Sequence, residues 1–358
     1  MRMFPSRSAL RNLALSAASI AVAIALAGVL VAMAGANPWH AFAGMFQTAL
    51  GSEFALGVTV NKTIPRLVPA LGIALALRAN LWNIGAEGQL TLGAAAASGV
   101  ALFGPSLPPA LALTLALFAG IIAGAAWGAI PGALRAYCGV SEVITSLMLV
   151  YIAIQLTNYL IEGPWLAPSS TFPATAVFPA DYRLPRIWPG TLVNAGVFIA
   201  LAAAAAVWFL VNRTTIGLWL RAVGGNPRAS EVIGLPNRPV IIAALALSGA
   251  LAGLGGAIEV LGVRGRLLEG FSPGYGFEAI AIALLGRLNP LGIIAAALVF
   301  GILDAGAAGL QVASAGVSSA IVLIIEALAL MLLLAALGLS QRLDQRRMTR
   351  SALKTAQG

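Results

Sequence analysis

Asn83, Glu87 and Gln89 stand together in an otherwise apolar stretch, and Glu278 stands in a second one. Carboxylates and amides beside glycines at a helix start can hydrogen-bond a solute that offers hydroxyls or ring nitrogens. The other role open to the two acids is internal, since a side-chain oxygen at a helix start also caps backbone N–H groups. Glu259, Asp304 and Glu326 fall in or beside apolar runs as well. An acid at the centre of a bilayer costs roughly 2.5–3.5 kcal/mol on insertion scales, so each must face a cavity, a partner helix or a donor. For Asp304 and Glu326 the expected role is hydrogen bonding between helices. Covalent and metal chemistry find little support. Cys138 and His40 are the sole residues of their types, which excludes an internal disulfide and a cysteine- or histidine-rich metal centre. His40 follows Asn37-Pro38-Trp39 and reads as an interfacial residue. The two lysines, Lys62 and Lys354, do not follow glycine, so no P-loop for ATP is present. No cofactor is expected in this chain.

The elements that must position these groups follow from composition. Of 358 residues, 9% are charged and 60% hydrophobic, whereas a soluble domain carries roughly 25% charged residues. Such a chain cannot cover a water-facing surface, which excludes a cytosolic enzyme, a disordered protein and a nucleic-acid-binding module. The net charge of +9 is scattered between apolar runs, as in membrane proteins where it sets orientation. The runs are continuous rather than alternating, which argues against a β-barrel. The expected fold is all-α, a polytopic membrane protein forming a single transmembrane domain over residues 1–358.

With about 20 residues per span, ten spans are expected, at roughly 13–36, 63–78, 86–104, 108–134, 140–161, 191–211, 239–263, 274–288, 290–311 and 317–338. Those at 63–78 and 274–288 are short and interrupted. The first is longer than the usual signal-peptide core of about 7–15 residues, so it is expected to be retained. An internal N-terminus puts 15 Lys and Arg inside and 6 outside, namely Lys62, Arg66, Arg183, Arg186, Arg264 and Arg266. That bias predicts both termini in the cytoplasm. Residues 162–190 then form an external loop, whose six prolines oppose a regular helix. It serves as a connector or as a docking surface for an external partner. Residues 212–238 form an internal loop longer than a turn requires.

Segments 64–104 and 250–300 share a plan of apolar helix, Gly-rich polar break and short apolar run, with breaks at Asn80–Gln89 and Gly270–Glu278. Opposed repeats with broken helices near the midplane are a recurrent transporter design. Gly120, Gly124, Gly128 and Gly132 recur every fourth residue, and Gly249, Gly253 and Gly256 lie similarly. Small residues on one helix face let another helix approach closely.

Four motifs, in order over about residues 60–310, carry a family resemblance. Asn83-Ile84-Gly85-Ala86-Glu87-Gly88-Gln89, preceded by Arg78-Ala79-Asn80-Leu81-Trp82, resembles the "FNIGAEGQ" signature of permease subunits in ABC importers for branched-chain amino acids, ribose and nucleosides. The stretch Glu142–Ala153 is similar to the family's "EVITTIMLNYIA". The stretch from Arg221 to Gly234 is similar to its "RAVGENPxAA…GI" loop. Gly276–Gly286 with Asn289–Gly292 resembles "GFDAIAVALLGxxxPLG". Trp82 replaces the usual Phe, Gly225 a Glu and Glu278 an Asp, and Glu326 stands where relatives often have Gln. These departures bear on the choice of solute.

The resemblance, closest to nucleoside-type systems, implies a permease that passes nucleosides or simple sugars across the bacterial inner membrane by alternating access. It implies no catalysis in this chain. ATP and magnesium would be held by a duplicated ATPase subunit, and the other partners would be a second, different permease and an external substrate-binding lipoprotein. Asn83, Glu87, Gln89 and Glu278 become solute-pathway residues. Arg221, Asn226, Pro227, Arg228, Glu231 and Gly234 become the coupling segment, a short helix resting in a cleft of the ATPase. Pro227 suits a first helical turn and Gly234 a C-terminal stop. Read without the resemblance, the same segment is a connector with orienting arginines. The competing class is an ion-coupled secondary transporter for a small polar solute, supported by the intramembrane acids and the repeat.

Overall fold

The computed structural model describes residues 21–22, 25–33, 35–168, 171–313, 324, 327–328 and 331. Glu326, most of the expected span 317–338 and the start of 13–36 lie outside the described residues. Among the described residues regular structure is helical, apart from isolated β-bridges. Six helices there are long and apolar enough to cross a membrane. The chain forms two compact units, 1–51 with 303–358, and 52–302.

In the first unit, α1 (Pro38–Leu50) starts with Pro38 and is capped by Asn37, whose Oδ1 accepts the Trp39 N–H. No element was expected here, because thirteen residues are too few for a span. His40 is exposed beside Trp39, as an interfacial residue would be.

The second unit is built around α2 (Glu53–Arg78), which corrects the short, interrupted span expected at 63–78. Ser52 caps it by accepting the Ala55 N–H. Pro65 and Pro69 lie inside it without ending it. Lys62 and Arg66, expected in an external segment, are helix residues. The hydropathy dip that hid the helix comes from polar groups that find their partners inside the protein. The break after α2 leads to α3 (Ala86–Phe103), then α4 (Pro109–Cys138), which Gly139 ends at φ +68° in the left-handed region where glycine carries no Cβ penalty. Next come α5 (Glu142–Glu162), α6 (Gly196–Arg213), α7 (Thr215–Gly225) and the short α8 (Pro227–Val232). The long α9 (Asn237–Glu259) runs on through a π-helical turn, Val260–Arg264. The second break leads to α10 (Tyr275–Leu285), and α11 (Pro290–Ala313), which from Leu303 onward belongs to the first unit, is the last named helix among the described residues.

The glycine stripes act as expected. Gly120 and Gly124 of α4 face Gly249 and Gly253 of α9, so closely that a Cβ at Gly124 or Gly253 would strike a carbonyl of the other helix. Gly256 serves a different neighbour, the α3 backbone at Leu90.

The segment between α5 and α6 is knitted to the π turn and the residues that follow it. The N–H groups of Thr175, Phe178 and Leu184 donate to the carbonyls of Leu267 (3.0 Å), Gly265 (2.8 Å) and Leu261 (3.0 Å). Prolines oppose an α-helix here, leaving one 3₁₀ turn at Ala180–Tyr182, and these donors find partners on the π turn and the stretch after it.

Candidate functional site

Two helix starts meet in the second unit. Both α3 and α10 begin after a break, and each presents unsatisfied N–H groups at its first turn. Glu87 Oε2 accepts the Gly276 N–H at 2.6 Å. The acid from the first break therefore caps the helix of the second. Gly276 lies against the backbone of Ala86 and Glu87, where a Cβ has no room. Asn83 and Gln89 are locked to each other. Asn83 Nδ2 donates to Gln89 Oε1 and to Ser248 Oγ, both at 2.8 Å, and Gln89 Nε2 returns a bond to Asn83 Oδ1 at 3.1 Å. Asn83, Glu87 and Gln89 are all buried. In this conformation Glu87 joins the two breaks.

Glu278 takes a partner that sequence reasoning missed. Arg66 Nε donates to Glu278 Oε2, Arg66 Nη1 donates to the Lys62 carbonyl at 2.7 Å, and the guanidinium lies 4.6 Å from the Tyr275 ring centroid. Arg66 is 2% exposed. A buried charge is tolerated when paired and hydrogen-bonded, and Arg66 is both. The available signal was Lys62 and Arg66 four residues apart, one helical turn on one face. A second pair lies nearby. Arg264 Nε donates to Glu259 Oε1 at 3.1 Å, and Arg264 Nη2 donates to the Phe271 carbonyl at 3.2 Å. Glu259 lines a cleft of about 210 Å³ with Asn61, Lys62 and Arg264. Asp304 is half-buried on α11.

Gly270-Phe271-Ser272-Pro273-Gly274 spells G-x-S-x-G, the spacing of a hydrolase nucleophile elbow. That motif needs a strand-to-helix turn and a histidine partner. No strand leads into it among the described residues, and the chain's one histidine is His40. Ser272 Oγ instead accepts the Gly274 N–H (3.4 Å) and the Tyr275 N–H (3.3 Å).

The segment from Arg221 to Gly234 is a helix, a sharp corner and a second helix. Asn226 Oδ1 accepts the Ala229 N–H at 3.0 Å, Pro227 opens α8, and Gly234 turns the chain at φ +82°. Ser230 Oγ and Asn237 Oδ1 are 2.8 Å apart, which ties α8 to the start of α9. Arg228 and Glu231 are exposed, and Val232 and Ile233 are 87% and 72% exposed. Arg221 stands apart from this tip, its Nη1 donating to the Val211 carbonyl of α6 at 2.6 Å.

A physical connection runs from this segment to the breaks. Gly224 of α7 sits against the backbone of Arg78 and Ala79 at the end of α2. Arg78 Nη2 donates to the Leu288 carbonyl at 2.7 Å, in the turn between α10 and α11. That turn holds two successive non-glycine residues in the left-handed region, Arg287 (φ 54°) and Leu288 (φ 58°).

Comparison with known proteins decides what this arrangement belongs to. The family model for the permease component of the branched-chain amino acid transport system matches residues 56–337. The chain belongs to this family. A glucose ABC transporter permease of Haloferax volcanii is 37% identical over 88% of this chain and 85% of its own length. A guanosine ABC transporter permease of Bacillus subtilis is 34% identical over 87% and 89%. A nucleoside ABC transporter permease of Lactococcus lactis subsp. cremoris is 33% identical over 80% and 81%. No solved structure matches the chain. The protein is thus the permease subunit of an ABC importer, a multi-pass membrane protein that conducts solute and leaves ATP hydrolysis to a separate subunit. Membership sets aside the ion-coupled secondary transporter.

Proposed function

We propose that this permease passes nucleosides or simple sugars inward across the cytoplasmic membrane by alternating access, driven by a duplicated ATPase that grips α7 and α8. The observation that carries the coupling role is the tip of that segment. A six-residue helix with a capped start and a left-handed stop presents Val232 and Ile233 to the outside. Exposed apolar pairs rimmed by charge suit a partner's groove. Arg228 and Glu231 supply the rim. The solute class is supported by the relatives named for glucose, guanosine and nucleosides. A second, different permease and a solute-capturing lipoprotein complete the proposed assembly, with ATP and magnesium held by the ATPase.

The proposed orientation has both termini in the cytoplasm and residues 162–190 outside. Moving Lys62 and Arg66 into α2 leaves Arg183, Arg186, Arg264 and Arg266 as the outside cations, which sharpens the charge bias. Ten crossings and an inverted repeat belong to the same reading. Its support is that helix, turn and acid-started helix occur twice, as α2 to α3 and as α9 to α10, and that the two starts meet through Glu87.

The deciding experiment replaces residues 226–234 with a Gly-Ser stretch and measures ATPase activity in the reconstituted complex. Loss of stimulation by solute-loaded capture protein is expected, with basal hydrolysis and assembly retained. Undiminished stimulation removes the coupling role. For the pathway, Glu87→Gln and Glu278→Gln are expected to alter uptake in an assembled complex, and normal uptake by both leaves them structural.

A further inference from the structure

We infer that the cleft beside the Glu259–Arg264 pair is a solute subsite that reads the vicinal diol of a sugar ring and ignores any attached base. The inference rests on the proposed solute class and refines it. The cleft is walled by Val58, Asn61 and Lys62 of α2 and by Glu259, Val263 and Arg264 where α9 passes into its π turn. Its volume is about 210 Å³. Pockets that enclose whole drug-sized ligands measure roughly 300–1000 Å³, so this one suits a single ring.

The wall is aliphatic at Val58, Leu192 and Val263 and polar at Asn61, Lys62, Glu259 and Arg264. Glu259 is 4% exposed. Its Oε1 accepts from Arg264 Nε at 3.1 Å, and the carboxylate borders the cleft. Arg264 is 31% exposed and borders the same space. A carboxylate accepts and a guanidinium only donates. Side by side, they match two adjacent hydroxyls, one donating to Glu259 and its neighbour accepting from Arg264. The amide of Asn61 is already engaged, its Nδ2 donating to the Leu192 carbonyl at 2.6 Å, so it shapes the wall. A flat aromatic base offers no such hydroxyl pair. Glucose and guanosine, for which two of the relatives are named, share a polyhydroxylated ring, and this site recognises that shared part.

The π turn gives the cleft its form. The chain leaves α9 at Glu259, swings through Val260–Arg264 and reverses at Gly265 (φ +67°). That turn brings Arg264 back onto Glu259, and π-helical turns of this kind frequently mark functional positions.

The test uses the assembled permease–ATPase complex in detergent without capture protein, with weak binding read by saturation-transfer NMR. The probes are adenosine, methyl glucoside, adenine and 2′,3′-dideoxyadenosine. Ring protons of adenosine and methyl glucoside are expected to saturate, and adenine and the dideoxy compound to stay silent. Glu259→Gln keeps size and packing but is expected to weaken ring binding at least tenfold. Val263→Trp, in the cleft wall and outside the ion pair, is expected to abolish it. Equal binding of adenine or the dideoxy compound, no ring binding at all, or ring binding untouched by both variants overturns the subsite. ATP-driven uptake of adenosine or glucose by the complete wild-type assembly is measured in parallel. Intact uptake with absent ring binding retires the subsite alone, whereas absent uptake retires the solute class.

Discussion

Arg66 and Glu278 show how a charge survives in an apolar helix. The guanidinium meets a carboxylate, a backbone carbonyl and an aromatic face, so its desolvation is offset by three kinds of contact. Removing one member of a buried pair costs about 3–5 kcal/mol, whereas neutralising both can be nearly free. Arg66→Met is therefore expected to lower the thermal stability of the purified complex sharply, and Arg66→Met with Glu278→Gln to recover most of the loss. A double variant no better than the single shows that the pair is not coupled. Glu87 yields a second prediction. Its bond to the Gly276 N–H involves a carboxylate, and such bonds contribute about 1.5–3 kcal/mol. Glu87→Ala is expected to destabilise by that amount, while Glu87→Gln, which still presents an acceptor, retains a good part. Denaturation midpoints of the two variants check this. Glu87 and Glu278 were legible in the sequence as acids where acids are costly. Arg66 was not, because a cation near an expected membrane edge reads as a topology signal until a partner is seen.

At the scale of elements, backbone contact governs. Where α4 and α9 cross, glycine faces glycine, and a side chain at Gly253 would collide with the Gly120 carbonyl. Overpacking a tight interior costs roughly 1–3 kcal/mol, occasionally more, and backbone cannot swing aside as a side chain can. Gly253→Val is expected to abolish folded protein in the membrane, while Gly225→Val, at an exposed glycine with open space around its Cα, is expected to be tolerated. Size-exclusion profiles after detergent extraction distinguish them. The link from α7 through the end of α2 to the α10–α11 turn makes a different prediction. Arg287 and Leu288 hold left-handed backbone that costs about 1–2 kcal/mol per residue, and Arg78 restrains the turn from outside. Arg78→Gln is expected to cut solute-stimulated ATPase activity several-fold and leave basal hydrolysis and assembly intact. Equal stimulation in variant and wild type argues that force reaches α10 by another route. The sequence marked the breaks well, since glycine and polar residues interrupt apolar runs at both. It misjudged the length of α2, because span detection weighs each polar residue as if it faced lipid.

For the whole molecule, composition and four ordered motifs sufficed to establish a membrane-embedded, all-helical permease of the ABC importer family. Apolar content cannot be disguised, and the motifs lie at breaks and loops where few residue types fit the backbone. A consequence at this scale is that the purified chain in liposomes with an ion gradient but no ATPase is expected to move neither adenosine nor glucose. Gradient-driven uptake by the chain alone contradicts the assignment. The short helix Pro227–Val232 was legible too, from Pro227 and Gly234, which are local signals of a first turn and a stop. Only the tertiary structure decided which polar groups answer one another. Glu87 capping Gly276, Arg66 meeting Glu278, and Arg264 folding onto Glu259 beside an open cleft all depend on which helices pack together. Periodicity fixes the face a residue occupies along its own helix, but long-range pairing arises from packing between helices, and no single stretch of sequence encodes that.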